Sequence, residues 1–241
     1  VLIYASLVRV YSVPSLESLR ELTLSNYSFI LEDELTRTAV FNSLILGLAS
    51  ATVVVAVTAV IAWITVRTRL PGRGALDFLA FVPITIPGIV LGISLIWVYF
   101  TIPIRIYGTL WILLVAYVTR YLPYGIRGTT SALVQIHREL EEAAGAAGAR
   151  WWATFRYILI PLLRPALVGV WIYVFIISLR ELGAGVLLYS SQSVVLAVRI
   201  FDLRDSGNYT SIAALSVFLI IVLVTLVSVL QRIGGRTIRE A

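Results

Sequence analysis

The chain has no cysteine, no methionine, no lysine and a single histidine. Each absence closes a class of chemistry. Without cysteine there is no disulfide, no thiolate metal site and no cysteine nucleophile. A Walker-type phosphate loop ends in Gly-Lys-Ser/Thr, and a cofactor Schiff base needs a lysine amine, so neither can be built here. One histidine cannot supply a zinc site of two or three. If the protein draws on ATP, another chain binds it. Charge is scarce as well. Of 241 residues, 13% are charged and 59% apolar, against about 25% and 45–50% in an average soluble domain. A soluble fold of this size cannot hide so much apolar surface, so the sequence reads as an all-α, polytopic membrane helical bundle.

A helix needs ~20 apolar residues to cross the hydrocarbon core. Thr38–Val66, Phe78–Ile104 and Ser206–Gln231 are uncharged runs of 29, 27 and 26 residues. Two weaker runs lie between them, interrupted by Arg120 and by Arg180-Glu181. An arginine near a helix end can snorkel, so both still read as spans. The expected spans are therefore about 38–66, 76–101, 106–127, 165–188 and 208–231. Residues 1–13, mostly apolar and too short to cross, read as a partial transmembrane helix whose start lies upstream. That makes five full spans and a partial N-terminal one.

With no lysine, orientation rests on arginine alone. Twelve arginines fall on one side: Arg67, Arg69, Arg73, Arg120, Arg127, Arg138, Arg150, Arg156, Arg164, Arg232, Arg236 and Arg239. Six fall on the other: Arg20, Arg37, Arg105, Arg180, Arg199 and Arg204. The positive-inside rule places the first set in the cytoplasm, with the loop 131–164 and the tail 232–241. The segment 14–37 is then extracytoplasmic. The net charge of +6 follows this topology, so no nucleic-acid partner is read from it.

Small residues Gly47, Ala49, Ser50, Ala51, Ala56 and Ala59 mark the first full span as a helix-packing face. In the second, Pro83, Pro87, Gly88 and Gly92 fall within ten residues. They fit either a kinked packed helix or a broken helix lining a transport path. Pro87 and Gly88 are candidate pathway or gate residues. Glu181, beside Gly183 and Gly185, is another; it either faces a passing cation or gate, or is an interfacial charge paired with a nearby arginine.

The longest cytoplasmic loop carries the sharpest pattern, QIHRELEEAAGAAGARWWATFRYILIPLLRPAL. Glu139, Glu141 and Glu142 suit a helix N-terminus, Ala143, Ala144, Ala146 and Ala147 favour the helix, and Gly148 can end it in a left-handed conformation. A second helix is expected over Arg150–Ile160, stopped by Pro161, with Pro165 opening the next span. A helix of such small side chains buries little by itself and suits close approach by another protein.

The spacing Glu142-Ala143-Ala144, three residues, Gly148, nine residues, Ile158, then Pro161 resembles the EAA loop of binding-protein-dependent ABC transporter permeases of type I importers. Ile160 stands where leucine is usual, a volume-conserving change. LTLSNY at 22–27, Asn42-Ser43-Leu44, RTRLPGRG and FVPITIPGIVLGISL are similar to the family too, so the likeness runs from about residue 20 to the C-terminus. The resemblance implies a non-catalytic permease subunit without cofactor or metal, in a prokaryotic inner membrane. Glu142, Ala143, Ala144, Gly148, Ile158 and Pro161 would dock a separate ABC ATPase subunit. An extracytoplasmic binding protein would deliver substrate. A second permease half, by homodimer or as a fused or paralogous half, would complete the path. Ser178–Leu203 looks most like permeases for ferric iron, with thiamine and phosphonate systems close by; polyamine or sulfate-like anions are alternatives. Many such permeases carry two halves in one chain, and the missing initiator methionine suits a C-terminal half. Two other classes compete. An ion-coupled secondary transporter would need intramembrane carboxylates or an inverted repeat, and the cores of the three long spans carry no charge. An intramembrane enzyme would need a paired nucleophile and base, which the sequence does not offer.

Overall fold

The computed structural model describes residues 1–15, 18, 20–102 and 106–239, with side chains through residue 228. Arg105 and residues 240–241 of the expected tail lie outside the described residues. Among those described, the elements are helices only.

The helix α3, Glu34–Arg67, follows the short outer helices α1, Leu2–Leu7, and α2, Ser25–Glu32. Asp33 caps it, its carboxylate accepting from Thr36 N–H at 2.7 Å. Its 34 residues give a length of about 51 Å, ample for a bilayer. The buried positions Ala39, Ser43, Gly47, Ser50, Val54, Thr58 and Ala62 recur every three or four residues. They form one small-residue stripe, against which α6, Leu110–Gln135, and α9, Ile160–Ser178, pack. The approach is close. A Cβ on Gly125 of α6 would sit 2.7 Å from Val54 and Thr58, and the hydroxyls of Ser50 and Ser178 meet at 3.0 Å. Phe41, Ile45, Leu48 and Val53 of α3 stay exposed on the molecule's outside, the apolar surface a bilayer covers.

The expected span 76–101 is not one helix. Arg73–Phe81, α4, continues as a 3₁₀ turn to Thr85; Gly88–Thr101, α5, then departs at 112°. Each arm, 13 or 14 residues long, measures about 20 Å, short of the ~30 Å core. Pro87 forces the break, because it has no N–H and disfavours a helical residue before it.

Further expectations change. The helix does not stop at Pro161. Trp151–Thr154, α8, runs through a π turn at Phe155–Leu159 directly into α9. The Ile160 N–H reaches back to Phe155 C=O, and this widened turn accommodates a proline ring that an ordinary helix would reject. Pro165 consequently lies inside α9 instead of opening it. The span expected to run to 188 ends at Ser178; after a turn comes only the four-residue α10, Gly185–Leu188. Residues 1–13 are helical only over Leu2–Leu7, held to α2 by Asn26, whose amide donates to Ser6 C=O and Val8 C=O. The loop begins later than 131, since α6 runs to Gln135.

The chain finishes with α11, Leu196–Asp205, and α12, Tyr209–Arg239. Glu34–Arg67, Trp151–Ser178 and Tyr209–Ser228 are each long and apolar enough to cross a membrane, and the bent pair adds a fourth crossing if counted as one. The 26-residue α6 has the length but carries two arginines.

Candidate functional site

Two places gather the residues picked from the sequence. The first lies halfway through the bundle. Gly125 packs level with Val54 and Thr58, so Arg120, about 8 Å further along α6, sits beside the midpoint of α3. Arg120 was counted above with the cytoplasmic loops; it lies instead inside the membrane thickness, and the arginine bias survives its removal. Its Nε donates to Glu181 Oε2 at 2.7 Å. The Tyr121 hydroxyl donates to the same oxygen at 2.7 Å, and Ala184 N–H donates to Oε1 at 3.2 Å. The Tyr117 hydroxyl donates to Glu181 C=O at 3.1 Å. Glu181 is 7% exposed, so it is not at the outer interface. Of the two alternatives above, pairing with an arginine is what the geometry shows, at a depth where the pair also ties helices together.

The helix break joins this cluster. Arg120 Nη1 donates to Ile86 C=O at 3.0 Å, a carbonyl that the break at Pro87 leaves without an intrahelical partner. A Cβ on Gly88 would lie 2.6 Å from Glu181 Oε1, and one on Gly183 would lie 3.2 Å from Ile89 N. Only glycine lets the two breaks, 86–88 and 179–184, touch. Glu181, Pro87 and Gly88 are thus brought to one point, with Arg120, Tyr117 and Tyr121 as members that sequence reasoning missed. The signal was an arginine fourteen residues into an apolar stretch.

The second place is the loop at the arginine-rich end. Its helix α7, Glu139–Ala146, buries no residue. Leu140, Ala143, Ala147 and Gly148 lie exposed on it, beside exposed Glu142; Ala144 is half-buried. Gly148 ends the helix with φ +83°. Its N–H bonds Gly145 C=O, and Ala149 N–H bonds Ala144 C=O, both at 2.9 Å, the paired bonds of a Schellman cap. Ile158 and Pro161 are not on this surface. They belong to the next helix as it rises into the bundle, where Phe155, Leu159 and Leu163 supply the buried face.

The loop helix is fastened to the core by two arginines. Arg67, in the last turn of α3, donates to Leu133 C=O and Ile136 C=O at the end of α6, and its Nε lies 2.7 Å from Glu141 Oε1. Arg138 donates to Val66 C=O at 2.9 Å. Trp151 packs edge-on against Trp63, centroids 4.9 Å apart. From sequence, Arg67 was only a topology count.

An all-helical membrane bundle with broken spans and a braced, exposed loop helix is the fold of an ABC importer membrane subunit. A crystal structure of a bacterial alginate ABC transporter, in complex with an alginate pentasaccharide-bound periplasmic protein, superposes with a TM-score of 0.74 at 18% identity, covering 90% of this chain and 84% of that one. The family model described as "Binding-protein-dependent transport system inner membrane component" matches residues 55–240, and the chain belongs to that family. The putative 2-aminoethylphosphonate transport system permease protein PhnV of Salmonella paratyphi A is 31% identical over 161 residues, 67% of this chain and 61% of the relative. The ferric transport system permease protein FbpB of Actinobacillus pleuropneumoniae is 29% identical over 219 residues, 90% of this chain and 32% of the relative. The chain thus spans about three fifths of the first of these relatives and a third of the second.

Proposed function

We propose that this chain is the non-catalytic permease subunit of an ATP-driven ABC importer. It takes substrate from an extracytoplasmic binding protein and releases it into the cytoplasm. The observation that carries the reading is α7: a glycine-capped helix with a small exposed face, tied to the end of α3 by the Arg67–Glu141 pair and by Arg138. Such a helix transmits displacement from a docked partner to the core, where a floppy linker would not. The partner is an ABC ATPase subunit contacting Glu142, Ala143, Ala144 and Gly148; Ile158 and Pro161 support the following helix. A second permease half, identical or paralogous, closes the path. Ferric iron is the first substrate to test, on the likeness of Ser178–Leu203 and the 90% of this chain matched by the ferric relative; phosphonate follows from the other, and thiamine, polyamines and sulfate-like anions complete the set.

The test is coupling. In the importer reconstituted with its ATPase and binding protein, Glu142→Ala and Gly148→Val should leave membrane insertion intact. Both should lower stimulation of ATP hydrolysis by the loaded binding protein at least about tenfold, equivalent to ~1.4 kcal/mol of coupling. Wild-type stimulation in both variants refutes the docking assignment.

A further inference from the structure

The inner two thirds of α6 carry a polar stripe that the ion pair alone does not explain. Arg120, Tyr124, Arg127 and Ser131 follow one another at intervals of four, three and four residues, on one helix face. The opposite face holds buried Gly125, Ile126, Thr129 and Leu133. Tyr124, Arg127 and Ser131 are exposed and Arg120 is partly so. Tyr173 of α9 extends the face; its ring centroid is 5.6 Å from that of Tyr124, and it too is exposed.

Depth makes this stripe informative. The inner end of α6 is marked by Arg67, bonded to Leu133 C=O and Ile136 C=O. Arg127 lies eight residues, about 12 Å, before Gln135, and Arg120 about 10 Å deeper still. An arginine facing lipid is expensive unless it reaches the interface; Arg120, about 22 Å from Gln135, is too deep to snorkel, and Arg127 continues its face toward the inner end. Among the described residues, no carboxylate lies within ion-pair distance of Arg127. Arg120 spends Nε on Glu181 and Nη1 on Ile86 C=O, which leaves Nη2 without a partner among the described residues.

We infer that this face lines the water-filled substrate path, running from the mid-membrane pair toward the arginine-rich side, and that the cargo passes it as an oxygen-bearing anion. A phosphonate or sulfate-like oxyanion meets this description, as does ferric iron inside an anionic chelate; a bare metal ion or a polyamine does not. Guanidinium groups and phenol hydroxyls offer the donors such oxygens accept from. The inference rests on the importer reading and narrows its substrate class.

The absence of cysteine supplies the test. Tyr124→Cys and Ser131→Cys, each made in the full chain assembled with its ATPase in inverted membrane vesicles, give single reactive thiols. Each is treated with a negatively charged sulfonatoethyl or a positively charged trimethylammonioethyl methanethiosulfonate, with rates normalised to a free thiol in solution. Both positions should react, and the anionic reagent should be favoured about tenfold, the low end of focusing by a charged cleft. Arg127→Gln should cut that preference to about threefold. Val115→Cys, on another exposed face of α6, should stay unreactive. Absence of reaction at both 124 and 131, or reaction no faster than at 115, overturns the path. Reaction without anionic preference, or with a preference that Arg127→Gln leaves unchanged, overturns the charge assignment. The labelling needs no transported substrate, so its failure is separable from failure of the importer reading, which the coupling experiment decides.

Discussion

Replacing Glu181 by glutamine removes one charge from the centre of the bundle and one of two acceptor oxygens. A glutamine offers one acceptor oxygen where Glu181 has two: placed at the Oε2 position it still accepts from the Tyr121 hydroxyl, but its amide nitrogen then faces Ala184 N–H and that bond is lost. Also lost is the charge facing Arg120. Breaking a fully buried pair costs about 3–5 kcal/mol, and an exposed one about 0–1 kcal/mol. The Glu181 side chain is 8% exposed and that of Arg120 29%. The guanidinium left behind therefore has some access to water and retains Ile86 C=O; a discounted charge loss of about 1 kcal/mol and a lost hydrogen bond of about 1 kcal/mol place the cost near 2 kcal/mol. Arg120→Gln strands the more deeply buried partner and frees the Ile86 carbonyl, so its cost is nearer 3 kcal/mol. The double variant restores neutrality and should be less destabilised than the sum, by about 1–2 kcal/mol. Thermal unfolding of the assembled importer in detergent measures all three; at 2–4 °C per kcal/mol for a chain of this size, Glu181→Gln should lower Tm by about 4–8 °C. Additivity within about 0.5 kcal/mol would mean that Arg120 and Glu181 do not hold the two breaks together, and the description of the cluster as a tie would be wrong.

Two further perturbations test the outer and inner ends. Arg67→Gln deprives Leu133 C=O and Ile136 C=O of their donor, a loss of about 1–3 kcal/mol; amide exchange over 137–148 should rise while that over 209–228 stays unchanged, and equal protection in both proteins would refute the clasp. At the outer end, burial raises the pKa of Asp33, but hydrogen bonds from Thr36 and the charge of Arg199 outweigh it, holding the carboxyl below its ordinary 3.8. A depressed folded-state pKa favours the folded form above the unfolded value, and that advantage fades as pH falls through the folded one. The Tm difference between wild type and Asp33→Asn, which keeps the helix cap, should therefore be full above about pH 5 and shrink below pH 4; a difference constant from pH 3 to 7 would remove the Arg199–Asp33 pairing from the account.

The apolar runs and the loop pattern were legible because each depends on local chemistry. Uncharged length sets the extent of α3, and Gly148 ends α7 by its own freedom to take positive φ. Direction within a run is not local. Phe78–Ile104 has the hydropathy of a straight span, yet at Pro87 it turns through 112°. The turn is tolerable only because Arg120, 34 residues away, satisfies Ile86 C=O. Pro161 shows the opposite failure: a residue that ends most helices is carried by a π turn, whose widened backbone is anchored by Phe155 and Leu159 in a core that includes Ala62 and Leu133. Arg120 is the sharpest case. Counting treats every arginine as a vote for the cytoplasm, which holds for residues in loops. An arginine inside an apolar run has two physical outcomes, reaching the interface or finding a partner, and only the partner's position distinguishes them. Here the partner is Glu181, 61 residues on, at a second glycine-rich break. The coincidence of an interrupted run bearing Arg120 with another bearing Glu181 is itself a sequence signal: charges of opposite sign that interrupt two apolar runs offset each other's cost when they meet.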